Sequence, residues 1–291
     1  MFTHDALIHS YLYGCESEEE AAALHASAPD EAAVRNCLQH YQKAGILFLR
    51  DAGDPFGVSL LAKKLAAEYG ITFLSAGCPL AEEGKGGVSG AKRFRDAEDF
   101  RLKVTELRRY GADFVYLCAT GLPDLSVYGG VEGESMDADL VRACIGIAHE
   151  EGIPIAVECS GAESVAAAVE AEADSVEHGW YADKETLRIW AEGDTVWVPS
   201  VLSAGAWLND PDQRYPQDLL KRILDEQLWK VGMLAGWGGN IALGSNAGAE
   251  RSAHLQSCMD EYDHLKEELD DSLDSYLQSG EVMLKWKFSA L

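Results

Sequence analysis

Short apolar runs alternate regularly with longer amphipathic segments along this sequence, and this alternation limits the folds that the chain can adopt. The short runs are rich in β-branched and aromatic residues, and the alternation is typical of βα units around a parallel sheet. The predicted strands are residues 6–9, 46–50, 71–75, 114–118, 153–158, 175–178, 195–199 and 240–244. Eight such units predict an α/β protein of the (β/α)8 TIM-barrel class. This fold uses about 250 residues, so we expect one domain over 1–291.

The segments between these runs predict the helices and the loops of the barrel. The predicted helices are residues 31–43, 58–69, 97–110, 137–151, 163–172, 184–192 and 216–235. Two stretches, 76–95 and 122–135, are rich in glycine or charge and follow strand ends, which predicts loops covering the site. Residues 260–291 are predicted to form C-terminal helices that pack on the barrel. The carboxyl ends of the strands should meet at one face, where active sites of this fold lie.

Charge and composition exclude several classes of partner. The chain has 24 Lys and Arg against 49 Asp and Glu, a formal net charge of -25, which repels phosphate backbones and anionic lipid. No apolar run approaches the roughly 18 residues of a membrane span, and the first residues do not resemble a secretory signal. The seven cysteines never form a CxxC pair, as expected of free thiols. We therefore expect a cytoplasmic protein with a small-molecule substrate and neither nucleic acid nor membrane as a partner.

Ionisable and polar side chains stand at several predicted strand ends. They are His9, Tyr116, Glu158, His178 and Asn246. The surrounding phrases ADSVEHG (173–179), TVWVPS (195–200) and IALGSNAG (241–248) resemble the amidohydrolase superfamily, particularly its imidazolonepropionase- and prolidase-like branch. The resemblance extends from about residue 5 to about residue 288. It implies the same barrel, but with no room before residue 5 for the accessory β-sandwich of that family. What the sandwich contributes elsewhere is then absent or supplied by a homo-oligomer.

The resemblance also implies a degenerate metal site. The family holds one or two divalent metals with two histidines on strand one, a lysine on strand four, histidines on strands five and six, and an aspartate on strand eight. These positions correspond here to Leu7, His9, Tyr116, Glu158, His178 and Asn246. Tyrosine cannot form the carbamate that bridges two metals, and the neutral amide of asparagine cannot act as a general base. The resemblance thus predicts an enzyme without the binuclear centre.

The preferred hypothesis is metal-independent acid/base catalysis without a cofactor. Glu158, His178, His9, Tyr116 and Asn246 are the predicted catalytic residues, and Glu158 serves as base or acid. The reaction is hydrolysis of a C–N or C–O bond, or a lyase, isomerase or cyclase reaction derived from it. Two alternatives stay open at this point. One is a hydrolase with a single divalent metal, such as zinc, bound by His9, Glu158 and His178. The other is a non-catalytic pseudoenzyme that binds a ligand.

Four further residues are predicted to contact the substrate. Trp180 and Trp207 follow strands six and seven and could form an apolar wall. Cys118 should face the same side as Tyr116, whereas alternation along the strand turns Cys159 towards the helices. His254 matches a loop histidine found in relatives.

Overall fold

The strands of the protein are short, parallel and buried. A computed structural model describes residues 2–88, 90–208, 210–249 and 252–289. Its strands are β1 (His4–Ile8), β2 (Phe48–Asp51), β3 (Thr72–Ser75), β4 (Leu80–Glu82), β5 (Lys92–Phe94), β6 (Val115–Cys118), β7 (Ile155–Cys159), β8 (Ser175–His178), β9 (Val196–Val198) and β10 (Asn240–Ile241). Every strand predicted from the sequence overlaps one of them.

Helices connect most of the strands. They are α1 (Glu18–Leu24), α2 (Glu31–Ala44), α3 (Val58–Ala66), α4 (Ala97–Tyr110), α5 (Ala138–Glu150), α6 (Ala162–Glu170), α7 (Lys184–Glu192), α8 (Leu202–Gly205), α9 (Gln217–Gly236), α10 (Gln256–Leu269) and α11 (Leu273–Phe288). Asp30 and Asp96 accept hydrogen bonds from backbone N–H groups in the first turns of α2 and α4. The short helices α1 and α8 were not predicted. None of the described helices is both long and apolar enough to cross a membrane.

The strands form two parallel sheets. One has the order β1-β2-β3 and the other the order β10-β9-β8-β7-β6-β4-β5. The prediction of a loop over 76–95 is therefore wrong in part, because this stretch contains β4 and β5. After β3 the chain turns at Gly77 and then pairs Leu80 with Leu117 of β6. The sequence signal was hidden because β4 and β5 are short and lie among glycines and charged residues.

Buried side chains of the strands fall into two layers, an outer one shared with most of the helices and an inner one on the opposite face of the strands. The outer layer includes Val157 and Cys159 of β7. The inner layer includes Tyr116 and Cys118 of β6 together with Phe288 of α11. Alternation along the strands therefore places Cys118 and Cys159 on the sides predicted for them.

Candidate functional site

Four of the predicted catalytic residues line one small cavity at the carboxyl ends of the strands. They are His9, just after β1, Glu158 in β7, His178 at the end of β8, and Asn246, which follows β10. The cavity has a volume of about 240 Å³. The other described lining residues are Tyr11, Leu12, Glu18, Gly53, Pro55, Pro79, Val88, Leu122 and Ala249. Each of these groups lies at or just after the carboxyl end of a parallel strand.

His9 and Asn246 form a hydrogen-bonded pair across this cavity. The Nε2 atom of His9 lies 2.9 Å from Oδ1 of Asn246. Because a carbonyl oxygen only accepts, Nε2 of His9 carries the proton and the amide NH2 of Asn246 keeps its donors for other partners. Burial lowers the pKa of His9, and the bond to Asn246 opposes this effect. The pair therefore presents neutral hydrogen-bonding groups to the cavity.

The backbone beside this pair is held by a buried aspartate. Oδ2 of Asp5 accepts from Oγ of Ser245 at 2.6 Å, and Oδ1 accepts from the backbone N–H of Ser245 at 2.9 Å. The N–H of His9 donates to the carbonyl of Ala247 at 2.8 Å. These bonds fix the segment that carries Asn246 against the end of β1.

Glu158 is a buried carboxyl group with one free oxygen. Its Oε2 accepts a hydrogen bond from the Tyr116 hydroxyl at 2.7 Å, whereas its Oε1 has no partner among the described residues. Burial raises the pKa of Glu158 to about 7, with a smaller contribution from the charge of Glu177, while the bond from Tyr116 opposes the increase. A carboxyl group with this pKa can both accept and donate a proton near neutral pH.

His178 reaches the cavity through an unusual backbone conformation. It pairs in register with Cys159, which faces the helices, so simple alternation would turn its ring outwards too. The φ angle of His178 is 64°, in the left-handed region, and the residue lines the cavity. Both ring nitrogens are buried and have no partner in the described part of the chain. Burial lowers the pKa of His178 to about 3, so the imidazole is neutral at neutral pH.

The structure places the other predicted site residues outside the cavity wall. Tyr116 is buried beneath Glu158 and reaches the site only through that carboxyl group. Cys118 is fully buried in the inner layer, and burial raises the pKa of its thiol. Trp180 and Trp207 pack with Leu220 in a separate apolar cluster.

His254 lies beside a second, larger depression. Its Nδ1 atom is 3.0 Å from the Tyr41 hydroxyl, and it lines a groove of about 850 Å³. Leu12, Glu18 and Ala249 line both the groove and the cavity, so the two are adjacent.

Two residues at the mouth were missed by the sequence analysis. Tyr11 and Glu18 line the cavity and come from the segment that follows β1. Glu18 is the first residue of α1, and glutamate is common at this position because its negative charge stabilises the N-terminus of a helix. No pattern in the sequence distinguishes that role from a role at the site.

The described side chains do not fit the metal centre implied by the resemblance. Among residues 2–88, 90–208, 210–249 and 252–289, no group of three or more His, Cys, Asp or Glu is arranged to hold a metal ion. Leu7 is an apolar residue of the inner layer, and the tyrosine at 116 uses its hydroxyl as a donor to Glu158. His9, Glu158 and His178 share the cavity without forming a ligand set.

Comparison with known proteins supports the fold at low sequence identity. No family model and no curated protein matches the chain. A Xaa-Pro dipeptidase with methionine bound in its active site is 19% identical, with a TM-score of 0.75 over 98% of this chain and 74% of its own. Ochratoxinase from A. niger is 16% identical, with a TM-score of 0.75 over 99% and 71%. A prolidase complexed with N-methylphosphonate-L-proline is 18% identical, with a TM-score of 0.73 over 99% and 74%. The chain shares the α/β fold with parallel sheets of these enzymes.

Proposed function

We propose that this chain is an enzyme of the amidohydrolase superfamily that hydrolyses a C–N bond of a small molecule, with Glu158 as its proton-transfer group. The observation that supports this proposal most strongly is the position of Glu158. Its free Oε1 belongs to a buried carboxyl group beside two neutral histidines, in a cavity at the strand ends. Structural neighbours named dipeptidase, prolidase and amidohydrolase favour amide bonds as the substrate class.

The reaction follows from the protonation states of these groups. Ionised Glu158 takes a proton from a water molecule, whose oxygen attacks the carbonyl carbon of the amide. The negative charge that develops on the carbonyl oxygen is stabilised by the N–H of neutral His178 and the NH2 of Asn246. Glu158 then gives its proton to the leaving nitrogen as the C–N bond breaks, so proton and charge balance. Tyr116 donates to Glu158 throughout and favours its ionised form.

We also propose that the two sheets close into one eight-stranded barrel, in a single domain. Hydrogen bonds at both seams support this closure. At one seam, the N–H of Ala6 donates to the carbonyl of Leu243 at 2.8 Å, and Ile8 forms a parallel bridge with Ala247. At the other, β3 and β4 act as one interrupted strand, because β3 pairs with β2 and β4 pairs with β6. A closed barrel encloses the inner layer and brings all four cavity residues to one mouth.

The size and charge of the cavity limit the substrate. Its volume of about 240 Å³ lies below the roughly 300–1,000 Å³ typical of sites for drug-sized ligands, so the part that enters must be small. Glu18 contributes a carboxylate at the mouth and favours a neutral or cationic group there. We therefore expect a small amide with an uncharged or amino-bearing end next to Glu18.

The test is turnover of a defined panel by metal-analysed protein. Xaa-Pro dipeptides, their C-terminal amides and N-acetylated small amines are assayed after elemental analysis, with and without EDTA. We expect turnover that EDTA leaves unchanged, and a loss of about 10²–10⁴-fold in kcat for Glu158→Gln, the range for a general acid/base residue. Glu192→Gln, at an exposed position on α7, serves as the matched control.

The Glu158→Gln protein should remain folded. Burial raises the pKa of Glu158 from 4.5 to about 7, so the carboxyl group makes folding less favourable as the pH rises through this interval. The variant should therefore melt no lower than the wild type at pH 8. Stoichiometric metal that is lost in Glu158→Ala would support a mononuclear hydrolase instead. Binding of panel members without turnover by the wild type would support a pseudoenzyme.

A further inference from the structure

Two buried donors converge on the main-chain carbonyl of His178. The Nε1–H group of Trp197 donates to this oxygen at 2.9 Å, and the Nε2–H group of Gln227 donates to it at 2.7 Å. Trp197 belongs to β9 and Gln227 to the long helix α9, so the two donors come from different layers of the fold. Both are almost completely buried, with exposed fractions of 0% and 1%.

Strand β8 ends at His178, and the backbone changes direction at this residue. Alternation assigns the ring of His178 to the helix side, and the left-handed φ of 64° brings it to the cavity instead. A residue other than glycine adopts this conformation at a cost in free energy, so the surrounding structure must hold it there. The next residue is glycine for a related reason, since a Cβ at Gly179 would lie 2.6 Å from Nε1 of Trp197.

Packing alone does not explain a glutamine at position 227, because a buried amide lowers stability there. Its neighbours on α9, Leu224, Leu228 and Val231, are buried and apolar. Its Oε1 atom is buried and has no partner among the described residues, so the loss of its hydration is not offset by a hydrogen bond. Leucine or methionine would avoid that cost. The role of the Gln227 amide therefore lies in its NH2 group. Among the hydrogen bonds of the described residues, this group donates only to the carbonyl of His178.

We infer that Gln227, together with Trp197, is a positioning residue that holds His178 in its left-handed conformation and so aims the imidazole into the cavity. The inference rests on the role proposed above for His178 in the reaction. It does not make Gln227 a catalytic residue, because its side chain acts through the backbone of His178. A displacement of about 1 Å in a catalytic group can cost on the order of 10²-fold in rate, so loss of either donor should reduce turnover.

The test measures the NMR signals of the His178 ring. Protein with ¹³C/¹⁵N-labelled histidine is prepared as wild type and as Gln227→Met, and the ring resonances of its eight histidines are compared by NMR. His178→Gln identifies the His178 signals. We expect these signals to shift in Gln227→Met, while those of distant His149 stay in place. Gln42→Met is the matched control, because Gln42 also donates to a main-chain carbonyl, that of Tyr69 at 2.9 Å, away from the site.

Kinetics give a second measurement on the same variants. With a panel substrate, kcat should fall about 10–100-fold in Gln227→Met while KM changes little, because the aim of the ring matters most in the transition state. Trp197→Phe removes the other donor and should change the His178 signals in the same way, which covers the case of a misfolded Gln227→Met. Unchanged His178 signals in a folded variant would overturn the inference. Shifted signals in a protein without turnover would leave the positioning intact and contradict the proposed function instead.

Discussion

Among single residues, Tyr116 and Glu158 form the most informative pair. A tyrosine stands where the resemblance implies a lysine, and its hydroxyl donates to a glutamate that stands where a histidine is implied. The two replacements therefore complement each other chemically. Burial raises the pKa of Glu158, and the Tyr116 hydroxyl limits this increase by stabilising the carboxylate. Tyr116 thus increases the ionised fraction of Glu158 at a given pH.

This pairing predicts the pH dependence of activity. With Glu158 as the base and its pKa at about 7, kcat/KM of the wild type should rise as the pH rises through about 7. Tyr116→Phe removes the stabilising donor, so the pKa of Glu158 increases and the midpoint of this rise moves to higher pH. Steady-state kinetics between pH 5 and pH 9 measure the shift. Tyr41→Phe, which removes a bond to His254, is the control, and an unmoved midpoint in Tyr116→Phe would contradict the assignment.

Among the elements, α11 has a close contact with the strands. Leu284 and Phe288 of this helix belong to the inner layer, and the Phe288 ring packs against Phe114 with centroids 5.4 Å apart. The guanidinium of Arg50 lies 4.5 Å from the centroid of the same ring and pairs with Glu177 at 2.5 Å. Helix α11 thus shields a buried ion pair from water. A buried pair of this kind is stable only when good geometry and hydrogen bonds offset the loss of hydration.

The approach of α11 to β10 gives a stability prediction. A Cβ at Gly280 would lie 1.9 Å from the carbonyl oxygen of Ile241, so Gly280→Ala must displace the helix. We expect a loss of about 1–3 kcal/mol or more in the free energy of unfolding, measured by urea denaturation. Gly146→Ala is the control, because Gly146 lies in α5 with nothing near its Cβ position, and there alanine should stabilise the helix by up to about 1 kcal/mol. Equal stability of both variants would contradict the close packing.

The whole molecule carries a large net negative charge, because acidic residues far outnumber basic ones. The formal net charge of -25 comes from an excess of Asp and Glu, many of them on exposed helix faces. Several exposed arginines form pairs with carboxylates, such as Arg35 with Glu68 at 2.7 Å, but most of the acidic excess has no positive counterpart. Repulsion among like charges lowers the stability of a compact state, and salt screens it.

This charge predicts that salt stabilises the protein. Raising NaCl from about 20 mM to about 300 mM shortens the Debye length from tens of ångströms to below 10 Å, so the melting temperature should increase over this range. Choline chloride at equal ionic strength should have the same effect, because screening does not depend on the identity of the cation. A melting temperature that stays constant or falls in both salts would show that self-repulsion does not limit stability.

Local sequence pattern predicted most of the elements and which side chains meet at the strand ends, whereas the catalytic roles of those side chains stay a prediction. The alternation of apolar and amphipathic segments predicted eight of the strands and the major helices, and strand polarity predicted that His9, Glu158, His178 and Asn246 meet. The remaining features depend on how distant segments pack in three dimensions. The tertiary structure assigned Trp180 and Trp207 to their own cluster, placed Tyr11 and Glu18 at the mouth, and brought Gln227 to the carbonyl of His178. These outcomes depend on packing between segments far apart in the chain, and on one left-handed residue that reverses the alternation from which a strand is recognised.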